Sequence, residues 1–359
     1  MSIRYLFKNK YYLKSKRDFL SDYSRIESKR IDMTLSGKYL TKYGDFNFDV
    51  KKIDKYPFKE DIVLLEKILK DKLKIKNEVI IGNGANGLLQ NIIKILFVNK
   101  GNLVTPFYTF NQAEFGVTSF NGYTRRVYCN EYKIDLDKIK KVINRKTRMV
   151  YICNPNNPTG IYIDYKKIID FVKSIKIPVV IDESGIEFTS KKGLLNGSSL
   201  PDNLIILRSF SKAYGIANLR IGFLVCNSDF KELYMKKITT NEFSGISCNI
   251  AKDLFINTRI IDNVKAITKE RKLLENELKK MNIEVIKSDS NILMTKTCFI
   301  DDFINILEDN DISIVPIYDE FNKFHFRIAV QEHKVNNMFI KRLKKILKKD
   351  YIIDNNRRR

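Results

Sequence analysis

From about residue 79 onward, short β-branched apolar runs alternate with longer segments whose apolar residues recur at helical spacing. The short runs, at residues 79–81, 103–105, 149–153, 178–182, 204–208 and 221–226, are predicted strands. Between them, 88–97 and 165–174 carry the spacing of helices with one apolar face. Upstream, Ile53-Asp54-Lys55-Tyr56-Pro57 reads as a turn entering a helix over 61–73. Strands alternating with helices predict an α/β layered fold on a mostly parallel sheet, with ligands at the carboxyl ends of its strands.

After about residue 245 the texture changes. A long helical stretch rich in Lys and Glu, 260–281, leads into a smaller α/β unit. That unit has predicted strands at 283–286, 292–295, 312–315 and 326–330 and a last helix over 335–348. The pattern divides the chain into an N-terminal arm (1–45), a large domain (46–245), a small domain (246–350) and a basic tail (351–359). No internal repeat or long low-complexity linker interrupts them.

A length of 359 residues suffices for a large core and two domains. No stretch approaches the apolar length of a membrane span. Met1 to Lys16 is basic and aromatic but lacks the apolar core and cleavage site of a signal peptide, so a cytoplasmic location is expected. The five cysteines, Cys129, Cys153, Cys226, Cys248 and Cys298, are scattered and never in CxxC spacing. Neither a disulfide framework nor a metal site is expected from them. The net charge of +23 raises nucleic acid as a partner. Yet Lys outnumbers Arg, and short basic pairs such as Lys51-Lys52 and Lys341-Arg342 lie along the whole chain among Glu and Asp. That pattern reads as solvated lysine faces, and neither nucleic acid nor a membrane is expected as a partner.

The chemistry gathers just after the predicted strands. Ser209-Phe210-Ser211-Lys212 is followed by Gly215 and by Arg220-Ile221-Gly222. This spacing surrounds one point with a lysine able to hold an aldehyde, and with two hydroxyls and an arginine able to hold a phosphate. An aldehyde and a phosphate on one small molecule describe pyridoxal 5'-phosphate (PLP). Gly82-Asn83-Gly84-Ala85-Asn86-Gly87, between a strand and a helix, supplies backbone N–H groups for an anion, although a plain turn would look alike. Asp182 ends a strand, where a carboxylate would keep a pyridine nitrogen protonated or simply cap the following turn. In Cys153-Asn154-Pro155-Asn156-Asn157-Pro158-Thr159-Gly160, two prolines and a glycine stiffen a loop from which Asn157 can donate to the ring's 3-oxygen. Tyr108, two residues past Pro106, is placed to stack on the ring or to serve as core.

Together these segments resemble the class I/II, fold-type I aminotransferases, and most nearly the branch containing histidinol-phosphate aminotransferase and threonine-phosphate decarboxylase. The resemblance covers nearly all of residues 50 to 345, with the motifs in the family's order. It implies a large domain with a mostly parallel seven-stranded sheet and a smaller C-terminal α/β domain. It implies that Lys212 forms a Schiff base with PLP and shuttles the Cα proton, that Asp182 pairs with the pyridine nitrogen, that Asn157 contacts O3' and that Tyr108 stacks. Ala85, Asn86, Ser209, Ser211 and Arg220 correspond to the phosphate site. Tyr56, in Lys-Tyr-Pro, matches a tyrosine that reaches the neighbouring subunit's cofactor, which implies a homodimer. Arg327 matches the arginine that clamps the substrate's α-carboxylate.

The chain departs from that pattern at four places. Gly185 stands where the family usually has an aromatic residue three places after the aspartate. Val315-Pro316 and Gln331 stand where the branch carries arginines, the first of them used on anionic substrates. The early Asn-Pro-x-Gly element is absent, and Asp45-Phe46-Asn47-Phe48 is the nearest replacement. The resemblance therefore does not carry histidinol phosphate as the substrate. It implies an aminotransferase moving an amino group between a small amino acid or amine and a 2-oxo acid or ketone. The alternative is a decarboxylase of a small amino acid, O-phosphorylated or not. A PLP-binding regulator is a third reading, but about forty residues before the domain are too few for a DNA-binding module and linker.

Overall fold

The computed structural model describes residues 30–34, 56–238, 244–257, 260–300, 302–318, 323–347 and 352–353. Asp45-Phe46-Asn47-Phe48 lies outside them. In chain order come β1 (Ile31–Asp32), α1 (Lys59–Leu73), β2 (Glu78–Gly82), α2 (Gly84–Leu96), β3 (Asn102–Pro106), α3 (Gln112–Ser119) and β4 (Tyr123–Val127). They are followed by α4 (Leu136–Val142), β5 (Thr147–Cys153), α5 (Tyr165–Lys173), β6 (Val179–Asp182), β7 (Leu204–Ser209) and β8 (Gly222–Cys226). Next are α6 (Ser228–Lys237), α7 (Gly245–Asn257), α8 (Ile260–Lys279), β9 (Ile292–Met294) and β10 (Cys298–Phe299). The chain closes with α9 (Phe303–Asp309), β11 (Ile312–Ser313), β12 (Val315–Tyr318), β13 (Phe324–Ala329), α10 (His333–Ile346) and β14 (Ile352–Ile353).

Seven strands form one sheet in the order β2-β8-β7-β6-β5-β3-β4. All neighbours are parallel except β8, which runs antiparallel to both β2 and β7. Side chains alternate across the sheet, so each strand feeds two cores. Val79, Ile81, Val150, Ile152, Val179 and Ile181 enter one core, with Leu65 and Leu69 of α1 and Ile168 and Val172 of α5. Ile80, Met149, Tyr151, Cys153 and Val180 enter the other, against Leu88, Leu89 and Ile92 of α2. Burial on both faces is why the central strands read as continuous apolar runs rather than as alternation. All six predicted strands form. The seventh, β4, is an edge strand whose Tyr-Thr-Arg-Arg-Val faces solvent in part, so it offers no apolar run to read.

The C-terminal part differs in detail from its sequence pattern. Residues 283–286 form no strand; a single bridge joins Val285 to Thr295. The run 312–315 divides between two sheets. Its first half, β11, pairs in parallel with β1, and Met33 N donates to Ser313 O (2.9 Å). The remainder, β12, lies at one end of an antiparallel sheet ordered β12-β13-β10-β14, with β9 also paired to β13. An edge position tolerates Pro316, which has no N–H to give. Ala329 N donates to Met33 O (2.7 Å), so residues 31–33 are strapped to the C-terminal sheet. Among the described residues no helix is long and apolar enough to cross a membrane.

Candidate active site

The register of the large sheet aligns its functional residues along one edge. Gly82 lies opposite Gly222, which lies opposite Ser209; beside them Leu207 is opposite Asp182, and Asp182 opposite Cys153. At this edge α2 begins without a side-chain cap, leaving its first N–H groups open. Gly84 there has φ +71°, and a Cβ on it would stand 2.8 Å from Nη2 of Arg220. A Cβ on Gly222 would stand 2.6 Å from the Arg208 carbonyl and 2.9 Å from the Ala85 nitrogen. Two glycines thus let β8 and Arg220 close against the opening of α2. Arg220, itself left-handed at φ 47°, donates to Ala217 O (2.9 Å) and reaches Ser211 Oγ (3.5 Å). Ser209 Oγ accepts from Ser211 N (3.1 Å). Asn86 lies on the first turn of α2, where its Oδ1 accepts from Gln90 Nε2 (3.4 Å). Helix N–H groups, two hydroxyls and a guanidinium thus lie together on one edge, the donor set that an anion would need.

Asp182 is buried at the end of β6. Its Oδ1 accepts from Ser184 N (2.9 Å), so it does cap the following turn. Its Oδ2 accepts from the Tyr151 hydroxyl (2.9 Å), a partner absent from the sequence reading. Tyr151 is wholly buried, with its hydroxyl 3.1 Å from Cys153 Sγ. Burial first, and then the Asp182 charge, push the phenol well above its ordinary value; burial likewise pushes the Cys153 thiol up to about 12. The readable signal for Tyr151 was one polar tip in an otherwise apolar strand core.

Next to Asp182 along the chain, Glu183 belongs to a largely buried ion cluster that no local sequence signal marks. Arg208 Nε lies 3.4 Å from Glu183 Oε2, and its Nη1 lies 3.0 Å from Glu187 Oε1. Glu183 Oε1 accepts from Leu194 N (2.8 Å). Burial raises both carboxyls, and Arg208 opposes the rise in each. Lys212 is half-buried in the turn after β7, and its charge weakly lowers both Glu187 and Cys153. Lys212 therefore stands within electrostatic reach of both groups, on the same edge as Asp182. Its ammonium makes no hydrogen bond or ion pair with the described residues.

Asparagines hold the loop after β5. Asn154 donates to Ile163 O (2.9 Å) and accepts from Ile163 N (2.7 Å). Asn156 donates to Tyr108 O (2.8 Å) and to Thr159 Oγ1 (2.9 Å), which ties the loop to the end of β3. Asn157 and Tyr108 are thus presented by two segments stapled together. Tyr108 packs with Ile286 and Met294, and its ring lies 5.1 Å from that of Tyr132. Gly160 has φ +73°, and a Cβ there would collide with Ser288; Asp289 N donates to Gly160 O (2.8 Å). A Cβ on Gly185 would lie 3.3 Å from Ser290 Oγ, so Ser290 takes the space beside the missing aromatic.

Arg327 stands on β13 between Val315 and Met294, and its Nη2 donates to Thr34 O (2.8 Å). Gln331 donates to Asp32 O (3.3 Å), which turns it to the N-terminal strap. Tyr56 is 81% exposed.

The family described as Aminotransferase class I and II matches residues 50–343. The chain belongs to the class I and II aminotransferases. The chain is 31% identical over 260 residues to histidinol-phosphate aminotransferase 2 of Carboxydothermus hydrogenoformans, covering 69% of this chain and 70% of the relative. Its fold is shared by the Sinorhizobium meliloti histidinol-phosphate aminotransferase, solved with pyridoxal-5'-phosphate (TM-score 0.75, 21% identity, 82% of this chain and 83% of that one). The Porphyromonas gingivalis L-threonine-O-3-phosphate decarboxylase also shares it (TM-score 0.67, 22% identity, 84% and 93%). The protein is an enzyme, a PLP-dependent aminotransferase of fold type I.

The residues present fit the cofactor of this aminotransferase family. The close approaches at Gly84 and Gly222 leave open backbone N–H groups beside a guanidinium, as a phosphate requires. Gly84→Ala is expected to cost about 1–2 kcal/mol through its left-handed backbone. The added methyl also displaces Arg220, so PLP affinity should fall about tenfold in equilibrium dialysis. Unchanged affinity would remove Gly84 from the cradle.

Proposed function

We propose that this aminotransferase moves the amino group of an α-amino acid to a 2-oxo acid, with Lys212 as the proton-transferring base and Arg327 as the carboxylate grip. The convergence of Lys212, Asp182 and the anion cradle on one sheet edge carries the reading. Bound PLP supplies an aldehyde and an electron-withdrawing ring. The N–H groups of Ala85 and Asn86, the hydroxyls of Ser209 and Ser211, and the Arg220 guanidinium hold its phosphate. Asp182 holds a proton on the ring nitrogen, Asn157 donates to the ring oxygen, and Tyr108 covers a ring face. Lys212 Nζ takes the proton from the substrate's Cα and returns it on the other side of the exchange. Arg327 binds the α-carboxylate through two parallel hydrogen bonds, which sets which bond at Cα faces the lysine.

In this reading 46–245 carries the cofactor site and 246–350 the substrate arginine. The exposure of Tyr56 supports a homodimer in which it serves the partner's site. The relatives are named for histidinol phosphate, so that compound belongs in the test beside glutamate, aromatic amino acids and O-phosphoserine. Each is mixed with PLP-loaded protein, and keto product, CO2 and the pyridoxamine form are measured. Stoichiometric keto product without CO2 is the expected result. CO2 released without any keto-acid requirement would replace the proposal with decarboxylation. Arg327→Ala is expected to raise KM for the donor about a hundredfold, with part of the loss restored by Arg327→Lys.

A further inference from the structure

We infer that Tyr151 is a positioning residue that fixes the orientation of Asp182 toward the cofactor's ring nitrogen. The inference rests on the reading of Asp182 just given. Tyr151 and Cys153 are two residues apart on β5 and share a face, and Cys153 is the register partner of Asp182 on the adjacent strand. That register brings the phenol across the strand pair to Asp182 Oδ2 at 2.9 Å. Because the phenol is wholly buried and its pKa is pushed up, it stays protonated and donates. The thiol is also held protonated, 3.1 Å from the phenol oxygen. A one-way chain follows, from Cys153 S–H to Tyr151 O–H to the carboxylate.

With Ser184 N on Oδ1 and Tyr151 on Oδ2, each carboxylate oxygen is fixed by one donor and keeps a lone pair for a ring nitrogen. Held by both donors, Asp182 would present its remaining lone pairs to a ring nitrogen in one orientation and would hold a proton there. The other charged and titratable groups nearby are Glu183, held by Arg208, and Lys212 and Glu187 from the adjoining turns. None of these donates to Asp182 Oδ2.

The test is a pH titration of the bound-cofactor absorbance in Tyr151→Phe. The midpoint is expected to move up by about half a unit to one unit. kcat should fall about tenfold with KM for the donor little changed. Installing 3-fluorotyrosine at position 151, a stronger donor of nearly the same size, should move the midpoint the other way. Opposite shifts are something a purely structural role would not produce. Melting of the cofactor-free protein checks that each variant is folded. If Tyr151→Phe folds poorly, the fluorinated variant alone decides. Asp182→Asn separates this inference from the reading beneath it. A normal titration and cofactor affinity in D182N would withdraw the role of Asp182, and that of Tyr151 with it. An altered D182N beside unmoved position-151 variants would overturn the Tyr151 role alone.

Discussion

Lys212→Ala is expected to slow amino transfer by about four orders of magnitude while the protein still binds PLP through its phosphate cradle. Among the described residues Lys212 is the amine on the edge that carries Asp182, Ser209 and the opening of α2, and it makes no side-chain bond with them that would hold it back. A positioned general base contributes about a hundredfold to ten-thousandfold, and loss of the covalent anchor adds to that. The measurement is single-turnover conversion with an amino acid at saturation, repeated with added methylamine. Partial rescue by the small amine would identify the missing function as a proton-accepting amine. A variant within tenfold of the parent would sink the role of Lys212.

The second large effect concerns stability. Arg208→Ala is expected to cost about 3–5 kcal/mol, because it leaves the buried Glu183 and the half-buried Glu187 without their cation. Glu183 is completely buried, and Arg208 is 8% exposed, so water cannot replace the guanidinium. The pH dependence has a definite sign. Burial raises the folded-state value of both carboxyls above the usual 4.5. For a raised acid, stability is fully present below the unfolded value and is lost as pH rises through the folded one. Without Arg208 the rise is larger, so the deficit should be smallest near pH 4.5 and below and should grow toward neutrality. Urea unfolding of parent and variant across that window checks it. A deficit that is the same at every pH would show that packing, not charge, is what Arg208 contributes.

The site was legible in proportion to how local its signals are. Strand, glycine turn and helix follow one another within residues 79–89, so the helix-opening half of the candidate cradle could be read from one stretch of chain, while Ser209, Ser211 and Arg220 lie in another. Asp182 and Lys212 each end or follow a strongly apolar run, which marks the strand end without reference to any other strand. Arg327 was legible as a residue but not in its setting. Its donor bond to Thr34 joins positions at opposite ends of the chain, and no local pattern announces such a contact. Edge strands are hidden for a related reason: β4 carries Arg125 and Arg126 at its centre, and only its pairing with β3 makes it a strand.

Sequence alone determined the layered α/β architecture and the residue types along its edge, because hydrophobic period and residue type are properties of short segments. Tertiary structure decided which partners those groups have. The Tyr151–Asp182 bond, the Glu183–Arg208–Glu187 cluster and the strap of residues 31–33 on β11 all depend on the register between strands distant in sequence. A shift of one residue in any of those pairings would turn the side chains to the other face of the sheet. The identity of each group is therefore written in its own segment, while its basicity and orientation come from its neighbours in the folded sheet.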